Sequence, residues 1–403
     1  MFIKKILTLL IIFLCTVYSL EILLYQFLPN EQKRLTNIKE KRIEIAKKYN
    51  LQYDDRSNIE VYFEESKKNK KLSTPFYFNK TYYNLVTVKD NLGMNKLIPF
   101  RGPINAQTIS CAEDLKYKII NNDKYGFKNP NLAYEKEIDI ILLGDSYAEG
   151  LCENEKNDTA GHLRKMKFNT LNFGVTGSGP LLSLAVLKEY GLALKPKNIV
   201  YFYFEGNDLL DLEWEKNTYL INYLRPNFQL DYLKYSEEIK EFLNNAHEEK
   251  ILLMKTFISE QKESKKDDKK LIALTKDILE LTTLKKIWRS KNLFSQKDLE
   301  MDLFFDILKK MRFETTNNGG NFIFVYIPSW SRYFTKYNEN KILFNKKNEI
   351  LNFLKKEKIP FFDFENEILD SSDKKKYFPL GYIGHFNAFG YKEISNSIIN
   401  LIN

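Results

Sequence analysis

The sequence predicts an α/β fold: a flavodoxin-like, doubly wound parallel sheet with a helical insertion and an N-terminal membrane anchor. Three observations carry this. Short apolar runs recur at Ile138–Leu143, Thr170–Phe173, Ile199–Phe204, Asn321–Ile327 and Pro360–Phe362, each bounded by Gly, Pro or Asn. Runs of that kind suit strands buried on both faces. Helical stretches separate them: Thr159–Lys167 behind an Asp158 or Thr159 cap, Leu181–Leu194, Asp302–Thr315 and Lys346–Lys356. Such alternation is the signature of a doubly wound sheet. Third, the first run stops at Gly144-Asp145-Ser146-Tyr147. This places a serine hydroxyl at the carboxyl edge of the sheet, where open α/β folds carry their chemistry.

The 403 residues leave room for one large domain with extras, or for two domains. The expected organisation is a signal anchor or signal peptide over 1–28, a charged stalk over 29–73, a β-rich extension over 74–134 and the catalytic-type domain over 135–403. Within the last, about 209–299 reads as a helical insertion able to cover or flank the site, far longer than an ordinary crossover. Its Glu260–Lys270 stretch is a solvated charge run. The extension owes its β character to segments such as Phe76-Tyr77-Phe78 and Leu85-Val86-Thr87-Val88.

At the N-terminus Lys4 and Lys5 precede the apolar stretch Ile6–Leu14, and apolar character continues to Leu28. This approaches the roughly 20 residues that span a bilayer. The basic residues Lys33, Arg34, Lys39, Lys41 and Arg42 just beyond oppose the positive-inside rule. The charged leader followed by an apolar stretch nevertheless reads as export, with the body facing the periplasm or cell exterior. Cys111 and Cys152, both in loop-like stretches, then form a disulfide candidate. Closing that loop contributes about 4 kcal/mol on the chain-entropy model. The net charge of +9 comes from lysines spread among Asp and Glu, and with no recognised motif it does not point to nucleic acid. No zinc-type Cys/His spacing, phosphate loop or dinucleotide fingerprint occurs, so neither a metal nor a cofactor is expected.

Acyl-ester cleavage by serine needs a hydroxyl nucleophile, a base and donors for the oxyanion. Ser146 is the candidate nucleophile. Gly177, in Asn172-Phe173-Gly174-Val175-Thr176-Gly177, is the candidate backbone donor, with Gly174 as the alternative. Asn207, in Glu205-Gly206-Asn207-Asp208 after the third strand, is the candidate side-chain donor. His385, in Gly384-His385-Phe386-Asn387 before the last helix, is the candidate base; His162 and His247 lack such flanks.

Ser, Gly, Asn and His blocks in this chain order resemble those of the SGNH/GDSL hydrolase family. Lys124-Tyr125-Gly126-Phe127-Lys128-Asn129-Pro130 and Leu187-Lys188-Glu189-Tyr190 further resemble a membrane-tethered bacterial group associated with envelope polysaccharide. The resemblance implies Ser146 and His385 as catalytic pair, Gly177 and Asn207 as oxyanion hole, and an ester of envelope carbohydrate as substrate, acetyl foremost. One position departs from it. The family places Asp three residues before the histidine, and here that residue is Tyr382. Either the site is a Ser–His dyad, or another group (Asp370, Asp373, Glu205, Asp208 or a backbone carbonyl) orients the imidazole. The expected activity is that of a serine esterase or O-acyltransferase. The alternatives are a lipase or thioesterase, and a catalytically degenerate fold that binds glycan or assembles a complex.

Overall fold

The computed structural model describes residues 2–27, 31–78, 98–264, 278–281, 284–285, 299–334, 341–366 and 373–402. They fall into two units, the body (Ile45–Lys250 with Leu299–Asn403) and a smaller unit (Met1–Glu44 with Ile251–Asp298).

The body opens with two short antiparallel ladders. Strand β1 (Phe76–Tyr77) pairs with β2 (Arg101–Gly102), and β3 (Gln107–Ile109) pairs with β4 (Ile119–Asn121). Then come the strands of the main sheet: β5 (Ile140–Leu143), β6 (Thr170–Asn172), β7 (Asn198–Phe204), β8 (Asn321–Ile327) and β9 (Phe361–Asp363). All pair in parallel, in the order β6-β5-β7-β8-β9. Counted from β5 this is 2-1-3-4-5, the flavodoxin-like order.

Alternation along the strands sorts the core into two faces. Ile141, Leu143, Ile199, Tyr201, Tyr203, Phe324 and Tyr326 enter one cluster, while Ile140, Leu142, Val200, Phe202, Ile323, Val325 and Ile327 enter the other. Helices Pro180–Val186, Met301–Asn317 and Lys347–Lys356 cover the first face through Leu184, Phe304, Ile307 and Ile350. Helices Thr159–Lys165 and Ala388–Ile402 cover the second through Leu163, Tyr391 and Ile394. The doubly wound class predicted from sequence is therefore the observed one.

Several local expectations are revised. The stretch expected as helix over Leu181–Leu194 winds as an α-helix only through Val186, then widens into a π turn at Leu187–Gly191 and tightens into a 3-10 turn at Leu192–Leu194. The wide turn carries Glu189 inward, where it accepts hydrogen bonds from the Tyr223 hydroxyl (2.7 Å) and the Leu230 and Tyr232 amides. The insertion is not helix throughout. After Asp208–Glu215 it runs through 3-10 turns at Tyr219–Leu224 and Tyr232–Tyr235 before the helix Ser236–Ser264. Pro226 removes a backbone donor, and positive φ at Asn227 and Asp231 breaks the winding. Nor is its first part a free cover. Tyr219, Tyr223, Tyr232, Ile239 and Leu243 are buried in the core beside Phe78 and Phe100 of the extension.

In the smaller unit, helix Phe2–Phe27 carries Glu21, which accepts the Leu284 amide at 2.8 Å. Among the described residues no helix is long and apolar enough to cross a membrane. The anchor expected over 1–28 thus gains no support from the described helices. The Leu85–Val88 strand and residues 265–270 of the charge run lie outside the described residues.

The seam between extension and insertion is aromatic. The Phe100 ring stacks on Tyr232 at 4.4 Å, and the Tyr232 hydroxyl donates to Ile98 O at 2.8 Å. Phe100→Ala should therefore destabilise the body by about 3–5 kcal/mol, the usual cost of emptying a buried Phe site. Urea unfolding measures this, and a loss below about 0.5 kcal/mol would mean the extension is not part of the core.

Candidate active site

Strand β5 runs into a turn that only glycine permits. Gly144 has φ +134°, and a Cβ there would sit 2.5 Å from the Phe202 carbonyl oxygen. Asp145 then caps the short helix Ser146–Glu149, its carboxylate accepting the Tyr147 amide at 2.8 Å. This turn presents the Ser146 hydroxyl at the carboxyl edge of the sheet. His385 reaches the same point from the loop before the final helix, and its Nε2 lies 2.9 Å from Ser146 Oγ. The Tyr147 ring lies against the imidazole with centroids 4.9 Å apart.

The group that orients the imidazole is Glu113, which none of the sequence candidates included. Glu113 Oε1 stands 3.1 Å from His385 Nδ1, and Oε2 accepts the His385 backbone amide at 2.6 Å. One carboxylate thus holds both the ring and the backbone that carries it. With Nδ1–H directed at the carboxylate, the Nε2 lone pair faces the hydroxyl.

The residues proposed for this role are occupied elsewhere. Glu205 binds Tyr326, the Ser329 amide and Arg332. Asp208 accepts from the Tyr201 hydroxyl and the Phe204 amide, both at 3.1 Å. Asp373 is exposed at the start of the Lys374–Tyr377 turn. Asp370 lies outside the described residues. Tyr382 packs its ring edge-on to Phe334 at 6.4 Å. Of the other histidines, His162 binds the Ala388 carbonyl and His247 binds Ser73 and Thr74.

Glu113 sits two residues beyond Cys111, which forms a disulfide with Cys152. The bond ties the loop that brings the acid to the loop that follows the serine. Ser110 reinforces the tie by accepting the Cys152 amide on its hydroxyl at 3.1 Å. The paired cysteines signal that these two loops meet, but they do not name the acid. Cys111, Glu113 and Cys152 offer ligand atoms within 4.8 Å of one another. With both sulfurs joined and the carboxylate committed to His385, they make a poor metal donor set.

The electrostatics follow from burial and pairing. Burial disfavours the imidazolium, but the Glu113 carboxylate, with help from Asp145 and Glu149, outweighs it and holds the His385 pKa above its ordinary value. Burial pushes the Asp145 carboxyl up to about 6 against its hydrogen bonds from the Tyr147 amide and Ser146.

On the oxyanion side, Val175–Ser178 forms a tight turn closed by the Ser178 amide on Val175 O at 3.0 Å. Gly177 occupies its third position with φ +79°, the geometry of a type II turn. The closing bond uses the Ser178 amide and leaves the Gly177 N–H out of it, and beyond its chain neighbours no described atom lies within 4 Å of where a Cβ would stand. Two buried carboxylates brace the turn. Glu149 accepts the Thr176 amide (2.9 Å) and hydroxyl (2.6 Å), and Glu215 accepts the Gly179 (2.7 Å) and Leu181 (2.8 Å) amides. Arg101 of β2 pairs with Glu149 at 2.6 Å. The turn is pinned to the nucleophile strand, since Ser178 Oγ and the Val175 amide both donate to Gly144 O. Gly174, the alternative donor, gives its amide to Asn172 Oδ1 at 2.9 Å and is thereby occupied.

Asn207 follows β7. Its amide donates one N–H to Asp211 Oδ2 at 2.8 Å, which fixes the amide orientation and leaves the second N–H for another acceptor. The structure thus brings Ser146 and His385 into direct contact. It sets Gly177 and Asn207 on loops at the same edge, neither hydrogen-bonded to Ser146.

No family model matches the chain, and no curated protein matches it. Among solved structures, similar chains include a protein of the G-D-S-L family from Desulfitobacterium hafniense described as lipolytic (12% identity, TM-score 0.36, covering 65% of this chain and 98% of that one). A GDSL-like lipase from Bacteroides thetaiotaomicron shows 13% identity and TM-score 0.35 over 66% of this chain and 89% of its own. A Bacteroides fragilis protein described as an acylhydrolase shows 13% identity and TM-score 0.36 over 67% and 88%.

The Glu113 contact predicts that His385 titrates above the ordinary histidine value of about 6.5. Glu113→Gln removes the largest raising charge and leaves burial opposed only by Asp145 and Glu149, so the pKa should fall from its wild-type position. Cys152→Ala should lower it in the same direction by freeing the loop that holds the acid. The pair's contribution to stability is full below the unfolded pKa and is lost as pH rises through the higher folded one. NMR titration of the ring measures all three proteins; equal values in wild type and Glu113→Gln would deny the contact.

Proposed function

We propose that this chain is a serine acyl-ester hydrolase or O-acyltransferase that works through an acyl-Ser146 intermediate. The observation that carries the reading is the continuous file Ser146 Oγ, His385 Nε2, His385 Nδ1 and Glu113 Oε1, with contacts of 2.9 and 3.1 Å. His385 removes the Ser146 proton as the hydroxyl attacks the acyl carbon. Glu113 keeps the imidazole in the productive tautomer and stabilises the imidazolium. The Gly177 amide, a free Asn207 N–H and the Ser146 amide are the donors for the developing oxyanion. His385 then returns the proton to the leaving alkoxide and activates the acceptor, water or a sugar hydroxyl.

The degenerate reading rested on Tyr382 standing where the acid was expected. Glu113 supplies a carboxylate at Nδ1 from another direction, which favours the catalytic reading. An acetyl ester of envelope carbohydrate is the substrate we favour, on the sequence resemblance. We place the body outside the cytoplasm, tethered through its N-terminal segment; the Cys111–Cys152 disulfide supports an oxidising compartment.

A fluorophosphonate probe should label the wild-type chain at Ser146 and leave Ser146→Ala unlabelled. With p-nitrophenyl esters, acetate should be cleaved best, and Ser146→Ala should lower kcat by at least about 10³-fold. Absence of labelling beside a labelled control esterase would sink the catalytic reading. A strong preference for long acyl chains would move the assignment to a lipase.

A further inference from the structure

We infer that residues 251–258 of the insertion dock on a lipid bilayer bearing anionic headgroups, as a membrane contact separate from the N-terminal segment. The inference goes beyond the proposed function and does not rest on the chemistry at Ser146. Two independent observations carry it: where the chain exposes apolar side chains, and where it keeps its charge.

Helix Ser236–Ser264 begins in the body and ends in the smaller unit. Its body portion is one-sided, with Ile239 and Leu243 buried and Glu237, Glu238 and Lys240 exposed. Past Lys250 the character changes. In Ile251-Leu252-Leu253-Met254-Lys255-Thr256-Phe257-Ile258, only Lys255 and Thr256 are polar. At 3.6 residues per turn the apolar residues fall on every side of the helix. A helix that is hydrophobic all round calls for a cover. Yet Leu252 is 65% and Leu253 62% exposed, and Phe257, one turn beyond Leu253, is 46% exposed. A single exposed leucine is ordinary, but two in succession with an aromatic one turn on mark an interaction surface.

The rest of the smaller unit agrees. Helix Phe2–Phe27 exposes Leu9, Ile12, Phe13 and Leu23. The unit's two segments, residues 1–44 and 251–298, hold 19 Lys and Arg against 11 Asp and Glu. Under a quarter of the chain thus carries +8 of its net +9. The remainder is balanced, with 43 basic residues against 42 acidic.

Charge and apolar surface together select the partner. A nucleic acid would engage the lysines and leave the leucines in water. A neutral protein groove would do the opposite. An anionic bilayer takes both, by apolar burial at the acyl boundary and by attraction of the basic residues to the headgroups. The eight residues rise about 12 Å, against a hydrocarbon core of about 30 Å, so they lie along the interface and do not cross it. Together with the N-terminal segment they give two membrane contacts, and two weak signals hold where one dissociates.

The test uses the full chain with its free cysteine removed (Cys15→Ser) and a nitrobenzoxadiazole dye attached through Leu253→Cys. A second chain carries the dye through Leu132→Cys, a comparably exposed site in the body. Both are titrated with vesicles of phosphatidylcholine alone and of phosphatidylcholine with phosphatidylglycerol. The expected result is a blue shift and a gain of intensity at position 253 only. Partitioning should be at least about tenfold stronger on the anionic vesicles and should weaken with salt. A dye at position 253 that keeps its aqueous emission on anionic vesicles overturns the inference, as does an equal shift at both positions. A shift that appears without vesicles and grows with protein concentration assigns the patch to a second copy of the chain, and overturns it too.

Discussion

The contact between Glu113 and His385 is the constraint on which the rest of the site depends. A histidine next to a serine is a weak base unless its ring is held in one tautomer and its positive form is compensated. Here both tasks fall to a carboxylate from outside the parallel sheet. Because Glu113 also accepts the His385 backbone amide, it fixes where the loop runs as well as how the ring points. The site is thereby a joint product of the doubly wound core, whose strand end and last loop supply serine and histidine, and of the N-terminal extension, which supplies the acid.

That division explains features otherwise unrelated. The extension must be rigidly joined to the body, and it is: Phe76, Phe78, Phe100 and Phe127 are buried in the same core as Tyr201 and Tyr203 of the sheet. The disulfide ties the acid's loop to the nucleophile's own loop. Arg101 of the extension compensates Glu149, whose carboxylate holds the Thr176 amide next to Gly177. The extension therefore reaches both halves of the site, the proton-transfer file and the oxyanion turn. Burial raises the pKa of Glu215, the other brace of that turn, to about 8. Its raised folded value favours the protonated form, so this group weakens the fold as pH rises from its unfolded value toward 8.

Much of this was legible in the sequence, for identifiable reasons. The five strands announced themselves because a sheet covered on both faces demands unbroken apolar runs. Observed boundaries shifted by a residue or two, as at Ile140 against Ile138 and Asp363 against Phe362. Ser146 and His385 were readable because each stands at a fixed structural junction, a strand end and a helix start. Glu113 was not, because its role is set by a tertiary approach across 272 positions and no local pattern encodes it. The insertion misread as continuous helix shows the same limit. Its apolar residues Tyr219, Tyr223 and Tyr232 face a core built from distant segments, and Pro226 was the local sign that the winding breaks.

The pH dependence of kcat/KM on p-nitrophenyl acetate tests the central claim most directly, compared between wild type and Glu113→Gln. The base must be neutral to act, so activity falls on the acid side at the His385 pKa. The account predicts a wild-type midpoint above about 6.5, and in the variant an acid-shifted midpoint with a plateau lower by about 10²–10⁴-fold. Two profiles with the same midpoint and the same plateau would contradict it, and would leave the imidazole without the partner that the structure gives it.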